Sequence, residues 1–191
     1  MRILFILLIA VSSLDTTAQS TKPAVTDTAS HTLILLRHAK SNHDNPVLAD
    51  FDRPLDTSGV TEAKQMAKYL RDKTGMPDLI VCSPALRARQ TAEIVCKSLG
   101  YKMENVRFDS TIYACSAEQL VKVIQQTEEK YQAIIVIGHN SSMTNVSNLL
   151  QADTQIAEVK TCGAVAIDFG RRKWSGAGTE KGKLLFYKKP E

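Results

Sequence analysis

Residues 33–44 read LILLRHAKSNHD, a run of four aliphatic residues that ends abruptly in basic side chains. A run that is apolar at consecutive positions is typical of a strand buried on both faces. Charge at the end of a buried strand costs free energy unless something compensates it. We therefore expect either a carboxylate partner or a bound anion at this end of the strand, and the rest of the sequence favours the anion.

Strand-like runs and helical patterns alternate along the chain from Thr32 onward. Apolar residues at helical spacing follow each of the runs TLILL, LIVC, VRF and AIIVI, and the runs AVAIDF and KLLFY come last. This alternation predicts an α/β fold, a three-layer sandwich whose mostly parallel central sheet has helices on both faces. The last two strands predict an antiparallel edge. Helix starts are predicted at Ser83 with Pro84 and at Ser116 with Gln119.

The composition indicates one globular domain behind an export signal. The chain has 191 residues, of which 43% are hydrophobic, and this is enough for one core. Residues 1–18 begin with a basic residue, continue apolar and end in small residues, which is the pattern of a signal peptide. We interpret residues 19–31 as a flexible leader and residues 32–191 as the domain. We expect an exported protein, periplasmic or extracellular, with no stable membrane insertion.

Charge and cysteine content point to no further class of partner. The net charge is +4, and the basic residues are not interleaved with aromatic residues as on a nucleic-acid-binding surface, so no nucleic-acid partner is expected. The cysteines have no CxxC spacing, so we expect buried small residues first and a disulfide second, with the connectivity open. They are Cys82, Cys96, Cys115 and Cys162.

Three strand ends carry guanidinium or imidazole groups. Arg37 and His38 follow LILL, Arg87 follows LIVC within SPALR, and His139 follows AIIVIG. Ligands of parallel sheets bind beyond the carboxyl ends of the strands, so we expect these side chains to meet there. Two guanidinium forks and two imidazoles suit a tetrahedral phosphoryl group, because each fork can grip two oxygens.

Each of these residues also has a structural interpretation. Arg37 would form an ion pair with Asp52 or Asp56, His139 would be a capping or core histidine, and Arg87 would face solvent.

A buried histidine that donates one ring N–H to a backbone carbonyl presents the lone pair of its other nitrogen, and so becomes a nucleophile.

The motifs LLRHAKS, DFDRPLDTSG, VCSPALRARQTA and VIGHN together resemble the histidine phosphatase superfamily, with the phosphoglycerate mutase-like fold, and most of all its SixA-type phosphohistidine phosphatases. The resemblance covers roughly residues 33–150. It implies a phosphohistidine intermediate on His38 and a catalytic phosphate pocket made by Arg37, Arg87 and His139. It also implies no metal and no organic cofactor. Candidate substrate-binding residues within the same motifs are Arg37, Arg87, Ser41 and Asn140.

The sequence does not identify the proton donor. Many relatives carry a glutamate at the position of Ala114, which leaves Asp44, Asp52 and Asp109 as candidates. A missing acid is tolerable when the leaving group is good, so the site favours phosphohistidine or acyl phosphates. Export instead favours small phosphomonoesters, so the expected partner is a phosphorylated small molecule or a phosphohistidine protein.

Two alternatives to the phosphatase stay open, and the sequence leaves the oligomeric state undetermined. A metal-dependent phosphoesterase would use His38, His43, Asp44 and His139 as ligands, although two neighbouring arginines would oppose a dication. A catalytically weak relative would bind phosphate without turnover, and Ala114 is consistent with that interpretation.

Overall fold

The computed structural model describes residues 30–190 as a six-stranded sheet covered by helices. The strands in chain order are β1 (His31–Arg37), β2 (Leu79–Cys82), β3 (Arg107–Phe108), β4 (Ala133–Gly138), β5 (Ala164–Gly170) and β6 (Lys183–Lys188). Their order in the sheet is β3-β2-β4-β1-β5-β6. The first four strands of the chain run parallel, whereas β5 is antiparallel to β1 and β6 is antiparallel to β5. The predicted mostly parallel sheet with an antiparallel edge is confirmed.

Helices cover both faces of this sheet. One core contains residues of α1 (Thr57–Thr74) and α2 (Leu86–Leu99), and the opposite core contains residues of α3 (Ala117–Gln125) and α4 (Ser142–Leu150). The opening run LILL explains why two cores form, because successive side chains of a strand point to opposite faces. Leu33 and Leu35 lie in the α3–α4 core, and Ile34 and Leu36 lie in the α1–α2 core. The predicted three-layer sandwich is therefore confirmed.

The first strand begins at His31, one residue before the expected domain boundary. His31 is buried, and its ring packs edge-on against Trp174 with 4.9 Å between the centroids. The predicted signal peptide (residues 1–18) and the leader up to residue 29 lie outside the described residues, so export stays a prediction. Within residues 30–190, no helix is long and apolar enough to cross a membrane.

The two predicted helix starts have different outcomes. Ser116 and Gln119 form the expected capping box: the Ser116 hydroxyl accepts from the Gln119 backbone N–H at 3.3 Å, and the Gln119 side chain accepts from the Ser116 N–H at 2.9 Å. The other prediction is wrong, because α2 begins at Leu86 with Ala85 as its N-cap. The Ser83 hydroxyl accepts a long hydrogen bond from the Ala85 N–H at 3.4 Å, just before the helix, and hydrogen-bonds His139 at 2.8 Å.

All four cysteines are unpaired. Cys82, Cys96 and Cys162 are buried and Cys115 is half-buried, so the first expectation, buried small residues, describes them better than a disulfide.

The start of α1 packs tightly against the loop that follows β1. Asp56 caps α1 by accepting from the Gly59 N–H at 2.7 Å. A Cβ atom at Gly59 would lie 2.0 Å from the Lys40 carbonyl oxygen, so only glycine permits this close approach. The contact fixes the backbone two residues beyond His38.

Candidate active site

The carboxyl ends of β1, β4 and β2 lie side by side, because these strands are neighbours in the parallel part of the sheet. Arg37 pairs with Gly138 in the register of β1 and β4, and the His38 N–H donates to the Gly138 carbonyl at 3.0 Å. On the other side of β4, the Ser83 N–H donates to the Ile137 carbonyl at 3.0 Å. The three stretches that carry the predicted site residues therefore leave the sheet at one place.

His38 is held in one tautomer by its own loop. Its Nδ1–H donates to the Ala39 carbonyl at 2.8 Å, and its Nε2 accepts from the Nε–H of Arg87 at 3.2 Å. Nε2 therefore carries a lone pair. Burial lowers the pKa of His38 to about 4, and the positive charges of Arg87 and Arg37 add to this effect. His38 is thus a neutral imidazole at neutral pH, with its Nε2 lone pair facing Arg87.

His139 faces His38, with 5.0 Å between the ring centroids. Its Nδ1 accepts from Nη2 of Arg87 at 3.2 Å, so its proton lies on Nε2, which donates to the Ser83 hydroxyl at 2.8 Å. The pKa of His139 is lowered to about 3, mainly by burial and in smaller part by the neighbouring His38 and Arg87. Both imidazoles are therefore neutral, and both direct a lone pair at the same guanidinium.

Arg87 lies in the first turn of α2 and is buried, unlike the solvent-facing arginine of the structural interpretation. A cation at a helix N-terminus opposes the helix dipole. Its position is stabilised instead by its acceptors, which include the backbone carbonyl and the carboxylate of Asp50. The sequence had favoured an anion over a carboxylate partner, and for Arg87 the structure provides a carboxylate.

Arg37 also has a carboxylate partner. Its Nη1 donates to Glu158 at 3.0 Å and to the Val159 carbonyl at 2.8 Å. The structural interpretation of Arg37 named Asp52 or Asp56 as its partner, and this is wrong, because the segment before β5 reaches the Arg37 side chain instead. Its Nε is buried without a hydrogen-bond partner. No hydrogen bond joins Arg37 to either imidazole in residues 30–190, so it acts on them through its charge.

Sequence reasoning missed Asp50 and considered only Asp52 in the same short 3-10 turn. The Asp50 carboxylate accepts from Arg87 Nη2 and from the Tyr113 hydroxyl, both at 2.9 Å, and it pairs with Arg53. Burial opposes ionisation, but the hydrogen bonds from Arg53 and Tyr113 and the charge of Arg87 hold the pKa of Asp50 well below its usual range. The i,i+3 spacing of Asp50 and Arg53 could have indicated their pairing, but nothing in the sequence indicates the contact with Arg87.

Tyr113 is a second residue that sequence reasoning missed. Its ring meets His139 edge-on, with 5.5 Å between the centroids. It precedes Ala114, whose φ of +52° is in the left-handed region. The stretch expected to carry an acid therefore brings a tyrosine to the site.

The three candidate proton donors are not in contact with the imidazoles. Asp109 caps the 3-10 turn Ser110–Ile112 by accepting from the Thr111 N–H at 2.9 Å. Asp44 and Asp52 are exposed. Across residues 30–190, no hydrogen bond or ion pair joins any of these carboxylates to His38 or His139.

The two further candidate substrate-binding residues support the site from its sides. The Ser41 hydroxyl accepts from Arg53 at 3.2 Å. The Asn140 amide donates to the Val159 carbonyl at 2.9 Å and accepts from Thr144 at 3.0 Å. Asn140 therefore braces the same carbonyl that holds Arg37.

The metal-ligand set considered from the sequence is not assembled. His43 contacts Arg53 at 2.9 Å on the exposed loop and does not join the two buried histidines. In the part of the chain that the structure describes, no group of three or more His, Cys, Asp or Glu side chains is arranged to hold a metal ion.

Both the sequence and the fold are similar to those of known proteins. A sequence profile described as "Histidine phosphatase superfamily (branch 1)" matches residues 33–110. The chain is 32% identical over 186 residues to an uncharacterised chloroplastic protein of Arabidopsis thaliana, over 88% of this chain and 84% of that protein. It is 31% identical over 111 residues to the phosphohistidine phosphatase SixA of Escherichia coli, over 56% of this chain and 66% of SixA.

The fold is also found among solved structures. The protein histidine phosphatase SixA complexed with tungstate matches with a TM-score of 0.71 and 22% identity, over 83% of this chain and 97% of that chain. At this identity the likeness shows the fold alone, which is the phosphoglycerate mutase-like α/β fold predicted from the sequence.

Proposed function

The chain belongs to the histidine phosphatase superfamily, and we propose that it is a phosphatase that works through a phosphohistidine intermediate on His38. One observation carries this proposal: His38 Nδ1 donates to the Ala39 carbonyl, and the Nε2 lone pair faces Arg87. A neutral imidazole with one nitrogen free is the form that attacks phosphorus. Since burial lowers the pKa of His38 to about 4, this form prevails at neutral pH.

The reaction proceeds in two displacements. His38 Nε2 attacks phosphorus, the bond from phosphorus to the leaving group breaks, and the leaving group departs with that electron pair. Water then attacks the phosphorus of phospho-His38, the P–N bond breaks, and inorganic phosphate leaves. Arg87 and Arg37 stabilise the charge on the phosphoryl oxygens in both steps.

His139 changes its role when the phosphoryl group arrives. It is neutral at rest, and the negative charge of the substrate favours the imidazolium form. Once protonated, His139 donates to a phosphoryl oxygen, while Ser83 still accepts from its other ring nitrogen. Substrate binding therefore completes the cationic pocket that the resting enzyme lacks.

The leaving group is one that needs no acid from the enzyme, such as the carboxylate of an acyl phosphate or the neutral imidazole released from a phosphohistidine whose ring already carries a proton. The Asp50 carboxylate shares Arg87 with the two imidazoles, and Arg53, Tyr113 and Arg87 hold its pKa well below the usual range, so it has no proton to give. An alkoxide leaving group without an acid would leave about 10²- to 10⁴-fold more slowly.

Covalent labelling tests this proposal. Enzyme mixed with ³²P-labelled acetyl phosphate and quenched in alkaline detergent should retain label on wild type and lose it on His38→Ala. An alkaline quench is needed because the P–N bond hydrolyses in acid. Equal labelling of both proteins would end the proposal, and binding of phosphate without label or turnover would favour the catalytically weak relative.

Turnover of acetyl phosphate tests the metal-dependent alternative. The His43→Asn variant and wild type treated with EDTA should both turn over acetyl phosphate at the untreated wild-type rate. Loss of activity in both would favour a metal site that uses His43.

A further inference from the structure

Arg87 has two donor forks, and each faces a different partner. The Nε–Nη2 side of the guanidinium faces the two imidazoles, at 3.2 Å from His38 Nε2 and 3.2 Å from His139 Nδ1. The Nη1–Nη2 side faces Asp50, with 2.5 Å to its backbone carbonyl and 2.9 Å to its Oδ2. Asp50 therefore accepts from both nitrogens of the Nη1–Nη2 fork, through its main chain and its side chain.

A phosphoryl group seated between the imidazoles would accept from the Nε–Nη2 fork. The phosphoryl group would replace the two imidazole lone pairs as the acceptor. The hydrogen bonds from the Nη1–Nη2 fork to Asp50 would remain. An arginine side chain has much rotamer entropy to lose when it binds. An arginine whose other fork already forms two hydrogen bonds has lost this rotamer freedom before the substrate binds.

Asp50 can hold Arg87 because Asp50 is itself held, although its side chain is 54% exposed. Arg53 pairs with Oδ1, and the Tyr113 hydroxyl donates to Oδ2 at 2.9 Å. The ring of Tyr113 also meets Phe51 edge-on, with 5.1 Å between the centroids. The turn that carries Asp50 is therefore fixed from two sides.

We propose that Asp50 is a positioning residue, which holds the Nη1–Nη2 fork of Arg87 so that the Nε–Nη2 fork is aimed at the phosphoryl group. This inference rests on the proposed function only in taking the space between His38 and His139 as the phosphate seat. Asp50 does not touch the substrate in this role. The negative charge of Asp50 by itself would oppose phosphate binding. Removing Asp50 should therefore strengthen phosphate binding if only its charge matters, and weaken it if Asp50 positions Arg87.

A double-mutant cycle with Arg87→Lys separates these effects, because lysine keeps the charge and lacks the forks. In the Arg87 background, Asp50→Asn should lower kcat/KM for acetyl phosphate and raise the Kd of inorganic phosphate, each by about tenfold, the size expected for a charge-assisted hydrogen bond. In the Arg87→Lys background, Asp50→Asn should not lower kcat/KM or weaken phosphate binding. The matched control is Asp72→Asn, which removes an exposed pair with Arg71 and should change neither constant.

Several outcomes would overturn the inference. They are an equal loss from Asp50→Asn in both backgrounds, a wild-type kcat/KM in the single variant, and tighter phosphate binding in that variant. Tighter binding would show that Asp50 competes for the seat. Circular dichroism and thermal melting of each variant would separate a misfolded protein from a mispositioned arginine. Wild type could fail to acquire label on His38 while the Kd of phosphate still changes as the double-mutant cycle predicts. That result would end the proposed function and leave the role of Asp50 standing.

Discussion

The imidazoles of His38 and His139 accept hydrogen bonds from neighbouring nitrogens of one guanidinium, each at 3.2 Å. Neither ring carries a proton on the nitrogen that faces Arg87. The resting site therefore holds two neutral bases, and the arginine between them is balanced by Asp50. This arrangement avoids the mutual repulsion that two imidazolium ions and a guanidinium would suffer at contact distance.

The two buried histidines should titrate far below the ordinary range. Their pKa values of about 4 and about 3 mean that both rings are neutral above about pH 5 and gain protons only as the pH falls further. NMR titration of the imidazole carbons, assigned with His38→Asn and His139→Asn, measures this directly. A pKa near 6.5 for either ring would contradict the expectation.

The same two groups link stability to pH. Their pKa values are lower in the folded than in the unfolded chain, where histidine titrates near 6.5. Their contribution is present above about pH 6.5 and is lost as the pH falls toward 4, since the unfolded chain binds protons that the folded site excludes. Urea unfolding at several pH values should show the free energy of unfolding fall over this window, and less steeply for His38→Asn.

Removal of the Ser83 hydroxyl should impair both stability and turnover. Ser83→Ala leaves the buried Nε2–H of His139 without its acceptor, a loss worth about 1–3 kcal/mol. The ring would also be free to change tautomer, so kcat should fall. Ser147→Ala is the control, because that buried hydroxyl donates only to the Met143 carbonyl within α4. Equal effects of the two variants on kcat would show that the Ser83 contact has no part in turnover.

The rate with aryl phosphates should depend steeply on the pKa of the departing phenol. Across the described residues 30–190, no carboxyl group hydrogen-bonds either imidazole, so the rate depends on the stability of the departing phenolate. A plot of log kcat/KM against phenol pKa measures the slope. Asp44→Asn, Asp52→Asn and Asp109→Asn should each leave that slope unchanged. A shallow slope in wild type that steepens in one variant would identify that residue as the acid.

Gly59→Ala should destabilise the protein and disturb the loop after His38. The added methyl group would lie 2.0 Å from the Lys40 carbonyl oxygen, and overpacking of this kind costs about 1–3 kcal/mol. Gly176→Ala is the control, since its added Cβ would lie 3.4 Å from the nearest atom, the Glu180 carboxylate. Chemical denaturation of both variants measures the difference, and similar stabilities would argue against the tight packing of α1 on this loop.

Much of the fold follows from local patterns in the sequence. The run LILL is buried on both faces because β1 lies inside the sheet, between β4 and β5, and helices cover the sheet on both sides. Arg87 and His139 could be placed near His38 because neighbouring parallel strands end at one edge of a sheet.

The parts that the sequence did not reveal depend on irregular segments. Asp50 and Tyr113 come from short turns with no apolar period, and only the folded chain places them beside Arg87. The partner of Arg37 is Glu158, 121 residues away in the chain, and no local spacing could indicate it. The sequence predicts Ser83 as a helix cap because residue type alone does not show that a buried imidazole bonds to the same hydroxyl.

The direction of β1 has a practical consequence. The strand enters at His31 and reaches the site at Arg37, and seven extended residues span roughly 20 Å. Residue 30 therefore lies at the end of the sheet remote from His38. A linker joined directly to residue 30 in a shortened protein would leave the opposite end of the sheet, with Arg37 and His38, facing away from the support.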